Sequence, residues 1–292
     1  MKKRLLPLLI LIFVLTGFNA CRWNPNLLSE QTTYAAEPIT EADYSIHDMT
    51  GKRIPYYNVS KAMFDPELFM RTSDGRVVYN DAASVAFAGV DVSVHQDDID
   101  WQAVRNDGIS FAFIRAAYRG YGTKGKINTD ENFKKNVEGA LAAGLHVGVY
   151  FFSQAVNEKE AVEEADYILS LIKGYPLTYP IVFDWERYDI EESRTYTTDS
   201  KTVTACAKAF CDRIRDAGYR PMIYLNCEIG YFDYDLEVLQ EYDCWLAQYN
   251  DKPTYYYHYT IWQYTESGKV DGIDGPVDLN ICLYDYGSES LG

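Results

Sequence analysis

The sequence is poor in the residues that most often carry metal chemistry. Its four histidines, His47, His95, His146 and His258, are dispersed, and none stands at metal-ligand spacing from another His or from a Cys. Six cysteines occur in 292 residues. Cys21 stands apart near the N-terminus. The other five, Cys206, Cys211, Cys227, Cys244 and Cys282, are odd in number, include no CxxC and match no zinc pattern, so no disulfide framework is expected. Cys211 shares a helical stripe with Ala207, Phe210 and Ile214 and reads as a core thiol. Basic charge is also in deficit. Lys and Arg number 27 against 43 Asp and Glu, and a net charge of −16 excludes the basic footprint that nucleic-acid binding needs. There is no GxSxG elbow, no HExxH helix and no glycine-rich phosphate loop after any strand, so the reading is neither metal nor cofactor. No internal repeat or low-complexity segment stands out.

What is present is a globular balance, 47% hydrophobic and 24% charged. The length suits one large domain with a short extra segment. Tyrosine is abundant, 26 against 13 Phe. Its ring and polar tip suit half-buried sheet positions for the most part, and for the remainder a surface that grips something amphipathic, such as sugar. At the N-terminus "MKKR" precedes the apolar run Leu5–Phe18, and Ala20-Cys21 follows. Fourteen residues are short of the ~20 that a spanning helix needs. Residues 1–21 are therefore read as a signal peptide whose Cys21 resembles a lipobox cysteine, acylated after export.

Residues 22–85 are polar, with scattered apolar clusters, and read as a tether followed by a short lead-in around "GRVVYND". From 86 to 287 the texture changes. Short apolar runs at 86–92, 109–116, 145–152, 179–186, 220–226, 243–249, 258–264 and 277–283 are too continuously apolar for a one-sided sheet, so they predict strands buried on both faces. Helices are predicted near 98–107, 130–143, 157–173, 199–217 and 233–241. Gly108, Gly144, Gly174 and Gly218 each stand between a helix and the next strand, where the left-handed conformation closes a helix. Asn157 with Glu160 has the form of a capping box. Five βα units followed by three strands predict an α/β fold, a TIM-like (β/α)5(β)3 barrel. The connection 265–276 carries Gly268, Gly272 and Gly275 and no helical period, so the last strand is expected to run antiparallel.

Reactive groups in such barrels lie at the C-terminal ends of the parallel strands. Asp91 closes the first strand in "GVDVSVHQ", Asp184 and Glu186 close the fourth in "VFDWE", and Asp278 opens the eighth in "VDLN". Asp184 and Glu186 are two apart and share one side of a strand, with Cα atoms about 6.5–7 Å apart. A lone Asp at a strand end is more often a cap or an ion-pair partner. Four carboxylates at the rim of an apolar interior are costly without a role, and burial raises their pKa toward that of a general acid. Groups able to hold a sugar stand at neighbouring strand ends: Arg115, Tyr150, Phe152, Tyr224, Asn226, Trp245, Gln248, Tyr249, Trp262, Gln263 and Tyr264. Of these, Trp262-Gln263-Tyr264 precedes the glycine-rich connection and is the stronger candidate, whereas Phe152 or Trp245 alone is more often core.

The segments "AGVDVSVHQDDIDWQAV", "FAFIRAAYRGYG", "ALAAGLHVGVYFFSQA", "PIVFDWE", "PMIYLN", "CWLAQY", "YTIWQYTESGKVDGI" and "VDLN" together resemble glycoside hydrolase family 25, the Chalaropsis-type lysozymes. The resemblance implies a (β/α)5(β)3 barrel and hydrolysis of the β-1,4 bond between N-acetylmuramic acid and N-acetylglucosamine. It implies Glu186 as the acid and Asp91, Asp184 and Asp278 as supporting carboxylates. "RAAYRGYG" departs from the Thr-Glu-Gly that follows this Arg in many members. The partner so implied is peptidoglycan glycan strands, while the N-terminal run and Cys21 add the membrane through a lipid anchor, for a monomer at the bacterial cell surface or secreted. Two other readings remain open at this point: a catalytically silent glycan-binding lipoprotein, and a barrel hydrolase of another N-acetylated polysaccharide such as chitin.

Overall fold

The computed structural model describes residues 45–188 and 190–288. The expected signal peptide, Cys21 and the first part of the expected tether lie outside the described residues. Before the barrel come two small hairpins. The first pairs β1 (Ser45–His47) with β2 (Arg53–Pro55), and the second pairs β3 (Phe69–Arg71) with β4 (Val77–Tyr79). The barrel strands are β5 (Phe87–Val92), β6 (Phe111–Arg119), β8 (His146–Ser153), β9 (Ile181–Trp185), β10 (Pro221–Asn226), β11 (Asp243–Ala247), β12 (Ile261–Gly268) and β13 (Val277–Cys282). A short strand, β7 (Ile127–Thr129), folds back on the far end of β6. The ring closes because β5 pairs with both β6 and β13. All neighbours are parallel except at β13, which runs antiparallel to β12 and to β5.

Helices α1 (Trp101–Asn106), α2 (Phe133–Ala142), α3 (Glu158–Leu171), α4 (Ser200–Asp216) and α5 (Leu236–Leu239) follow the first five barrel strands, and none separates the last three. The four glycines expected to end helices all have positive φ, between 79° and 91°. Asn157 caps α3 through the Glu160 N–H at 3.0 Å, but the Glu160 carboxylate accepts from Val156 N rather than from Asn157, so only half of the expected capping box forms.

Alternation sorts the strand residues. On β9, Ile181, Phe183 and Trp185 pack toward the helices, and Val182 lies in the barrel interior. The helix-facing layer includes the α4 stripe Val203, Cys206, Ala207, Phe210, Cys211 and Ile214, every one buried. Burying a side chain of the Val, Leu or Phe class contributes about 1.5–3 kcal/mol, so this stripe holds α4 to the ring. The interior holds Phe111, Phe113, Tyr179, Met222, Ile261 and Cys282. Gly89 and Gly148 make room for it, since a Cβ on either would collide with the ring of Phe111 or Phe113. These side chains fill the barrel interior beneath the C-terminal ends of the parallel strands.

The segment before the barrel is more than a tether from Ser45 onward. Ile54, Phe69 and Val77 are buried, and Phe69 meets Trp262 edge-on at 5.1 Å and 81°. Trp262 therefore faces outward against β3, not into the barrel.

Candidate functional site

At the C-terminal ends of the parallel strands lies a cleft of about 330 Å³. Asp91 comes to it from β5, Arg115 from β6, Tyr150 and Phe152 from β8, and Asp184 from β9 with Glu186 just beyond. Tyr224 on β10, Trp245 on β11 and Gln263 on β12 complete the wall. Because β13 is antiparallel, its beginning reaches the same rim. There Asp278 is the cross-strand partner of Asp91, with antiparallel Cα pairing.

The polar groups are locked into one arrangement. Asp91 Oδ2 accepts from Gln263 Nε2 and Asn280 Nδ2, both at 2.8 Å. Each amide is oriented by a donor behind it. Tyr224 and Tyr249 hydroxyls donate to Gln263 Oε1 at 3.2 and 2.9 Å, and Trp245 Nε1 donates to Asn280 Oδ1 at 2.8 Å. Both NH2 groups are thereby turned toward Asp91. On the opposite side, buried Gln154 donates to the Glu186 backbone oxygen at 2.7 Å and accepts from Thr195 Oγ1 at 3.0 Å, fixing the chain where the acid leaves the strand. Arg115 is held by Asp130 at 2.8 Å.

Burial raises all four carboxyl pKa values, to different extents. Asp91 is pushed up to about 6 by burial, against the pull of its two amide donors and of Asp278. Asp278 is pushed up to about 9 by burial, then by the charge of Asp91 and the hydrogen bond to it. At neutral pH the pair thus holds one proton, on Asp278, and the charge sits on Asp91. Glu186 is raised by burial and then by the charge of Asp91. Asp184 stands well above its ordinary value through burial, then through Glu186 and Asp91. Its Oδ1 is buried without a hydrogen-bond partner among the described residues, which is unfavourable unless another molecule bonds it. A carboxylic acid, a charged carboxylate and an open acceptor on one rim can protonate a leaving group, stabilise a cation and hold an amide.

The model of glycosyl hydrolases family 25 matches residues 90–273, which span β5 to the β12–β13 connection and hold three of the four carboxyls. The chain belongs to glycosyl hydrolases family 25. Among family 25 relatives, the autolytic lysozyme of Clostridium acetobutylicum is 27% identical over 193 residues, 66% of this chain and 54% of the lysozyme. The chain thus spans about half the length of that relative. The uncharacterized protein YegX of Escherichia coli is 32% identical over 220 residues, 68% of this chain and 70% of that protein. A family 25 glycosyl hydrolase from Bacillus anthracis superposes with a TM-score of 0.58 at 24% identity, over 70% of this chain and 91% of its own, and so shares the fold.

Within this family 25 cleft the structure brings together Asp91, Asp184, Glu186, Asp278, Arg115, Tyr150, Phe152, Tyr224, Trp245 and Gln263. It leaves out four residues expected there, Trp262, Gln248, Tyr264 and Asn226. Trp262 points outward, its indole N–H donating to the Gln248 backbone oxygen at 2.8 Å. Gln248 lies beyond the end of β11, and its side chain closes a local turn with Thr254 at 2.7 Å on each arm. The misplacement of Trp262 comes from parity: in a barrel whose strands are apolar on both faces, the sequence shows alternation without showing which set faces inward. Tyr264 and Asn226 are also turned to structural work. Tyr264 packs at 5.6 Å against Trp262, and Asn226 Oδ1 caps the Ile229 N–H. His95, from the turn after β5, also lines the cleft. Asn280 was missed, although its spacing of two from Asp278 on one strand carried the signal. Glu266, in the outer part of β12, also lines the cleft, and Asp130, just past the end of β7, holds Arg115.

Proposed function

We propose that the protein is a muramidase that hydrolyses the β-1,4 bond between N-acetylmuramic acid and N-acetylglucosamine in bacterial peptidoglycan. The observation that carries this reading is the rim of four carboxyls in a family 25 barrel, each with a pKa raised by burial. Glu186 acts as the general acid that protonates the leaving oxygen, because it is the raised carboxyl at the open end of β9. Asp91, held ionised by Gln263 and Asn280, stabilises the positive charge developing on the ring. Asp184, with its open Oδ1, orients the substrate acetamido group so that its own oxygen attacks the anomeric carbon, with net retention. Asp278 keeps the shared proton that lets Asp91 alone be charged. The autolytic lysozyme of C. acetobutylicum, named as a lysozyme, supports the substrate class. The N-terminal "MKKR", Leu5–Phe18 and Cys21 support export and lipid tethering of a monomer at the cell surface.

The test is digestion of purified peptidoglycan by the wild-type protein and by Glu186→Gln. New reducing ends should be N-acetylmuramic acid by mass spectrometry, and Glu186→Gln, which loses the proton but keeps the shape, should turn over at least ~10²-fold more slowly. Reducing-end N-acetylglucosamine, or near-normal turnover by a folded Glu186→Gln protein, would overturn the assignment.

A further inference from the structure

The cleft does not end at its carboxyls. His95, Arg115 and Phe152 also border a second cavity, of about 440 Å³, whose outer side is formed by Tyr118, Tyr121 and Tyr188. The volume falls within the roughly 300–1,000 Å³ of small-molecule sites, and the hydrolytic chemistry above leaves this space unused. Its wall grows outward from the catalytic strands. Phe152 is the parallel-sheet partner of Asp184, and Tyr188 follows Glu186 by two residues. Tyr121 arrives from the opposite side, on the turn between β6 and β7, and its ring stacks on Tyr188 at 5.1 Å and 13°. Phe152 meets Tyr188 edge-on at 6.3 Å and 83°.

The turn carrying Tyr121 is fixed although the ring itself is 53% exposed. Buried Arg119 bonds the Gly125 backbone oxygen at 2.8 Å and pairs with Glu163 and Glu164 on α3. The Arg194 N–H donates to the Tyr121 backbone oxygen at 3.0 Å, while its guanidinium grips both Glu160 oxygens at 2.7 and 2.8 Å. An exposed aromatic ring on a clamped backbone loses little freedom when something lies on it. The cations here are already occupied, Arg115 by Asp130 and Arg119 by Glu163 and Glu164. The rest of the lining is aromatic and acidic, with Tyr118, Tyr121, Tyr188, Asp130 and Glu131, and among the described residues it offers a carboxylate no unpaired Arg. That chemistry fits an uncharged sugar ring better than a stem peptide with its carboxylates.

We infer that this second cavity is a saccharide subsite, which holds a pyranose of the glycan strand beyond the sugars at the scissile bond, with Tyr121 backed by Tyr188 as the stacking platform. The inference rests on the muramidase reading of the adjoining cleft. The test compares wild type, Tyr121→Ala and Tyr121→Phe on stem-free glycan strands of defined length and on the same strands bearing stem peptides. Tyr121→Ala should lower kcat/KM on long strands, relative to the shortest cleavable oligosaccharide, by about three- to tenfold, as expected for one lost ring contact. The loss should lie in KM and be equal with and without stem peptides, and Tyr121→Phe should keep the wild-type ratio. An unchanged ratio in Tyr121→Ala overturns the subsite. A loss confined to peptide-bearing strands also overturns it and gives the cavity to the stem peptide. A wild-type protein that cleaves none of these strands overturns the muramidase reading itself, which separates the two failures.

Discussion

Asn280→Leu tests whether the charge on Asp91 is what the cleft needs. The substitution keeps the volume at a buried strand position and removes one of the two amide donors that Asp91 Oδ2 accepts at 2.8 Å. A hydrogen bond to a charged group is worth about 1.5–3 kcal/mol. At about 1.4 kcal/mol per pKa unit, the loss moves Asp91 up by about 1–2 units. Starting from about 6, Asp91 then becomes largely protonated near neutrality. The other groups around it, Asp278, Asp184, Glu186 and Arg115, are unaltered in sequence and continue to act on it. The assay is the pH dependence of kcat/KM on solubilised glycan. The acid limb should move upward by about 1–2 pH units, so that activity at pH 7 falls by about 2–10-fold. The variant also strands the Trp245 indole N–H, which donates to Asn280 at 2.8 Å, at a cost of about 1–3 kcal/mol in stability. Near-UV circular dichroism at each assay pH must therefore show the folded state. An acid limb that stays in place in a folded Asn280→Leu protein would refute the reasoning, because catalysis would then not depend on an ionised Asp91.

Two further outcomes follow from the same geometry. Asp278 binds its proton more tightly in the folded state, with a pKa of about 9, than in the unfolded chain, so between its ordinary value and about 9 the folded state holds more protons and stability falls as pH rises. Asp278→Asn removes that dependence, and thermal melts should show a Tm gain over wild type at pH 8 that vanishes at pH 4; an equal gain at both would mean that Asp278 is not protonated by the fold. Trp262→Ala should cost about 3–5 kcal/mol in urea unfolding with kcat/KM of the folded protein unchanged, since this ring packs on Phe69 outside the barrel; a fall in kcat/KM without a loss of stability would place it back in the cleft.

The barrel was legible in the sequence because its strands are short apolar runs and its helices end at glycines that only a positive φ explains. The carboxyl rim was legible for a related reason: Asp91, Asp184 and Glu186 interrupt or end runs that are otherwise apolar, and such interruptions are unfavourable without a role. What the sequence withheld was direction. Trp262 and Gln263 are adjacent and equally plausible as sugar contacts, yet only Gln263 faces inward, because the outward face of β12 is covered by β3, from a segment with no period of its own. Arg115 was expected to touch sugar, and its tie to Asp130 across the β6–β7 excursion could not be read from either residue alone. The amide scaffold around Asp91 was invisible for the same reason: Gln263, Asn280, Tyr224, Tyr249 and Trp245 come from four strands and a loop, and only ring closure makes them one network.

The single antiparallel strand has a consequence for when the protein can act. β13 is the piece that joins the two ends of the sheet, and Asp91 stands on one side of that seam while Asp278 and Asn280 stand on the other. A chain emerging from synthesis carries Asp91, Asp184 and Glu186 long before β13 exists, and in that period Asp91 lacks both its shared proton and one of its amide donors. The seam closes only through contacts between residues nearly two hundred positions apart in sequence, the slowest kind to form. Competence to cut therefore requires the closed ring, because Asp91 meets Asp278 and Asn280 only when β13 is paired with β5. For a protein proposed to attack the wall of a bacterial cell, the barrel's own closure serves as a safety catch, with no pro-segment required for it.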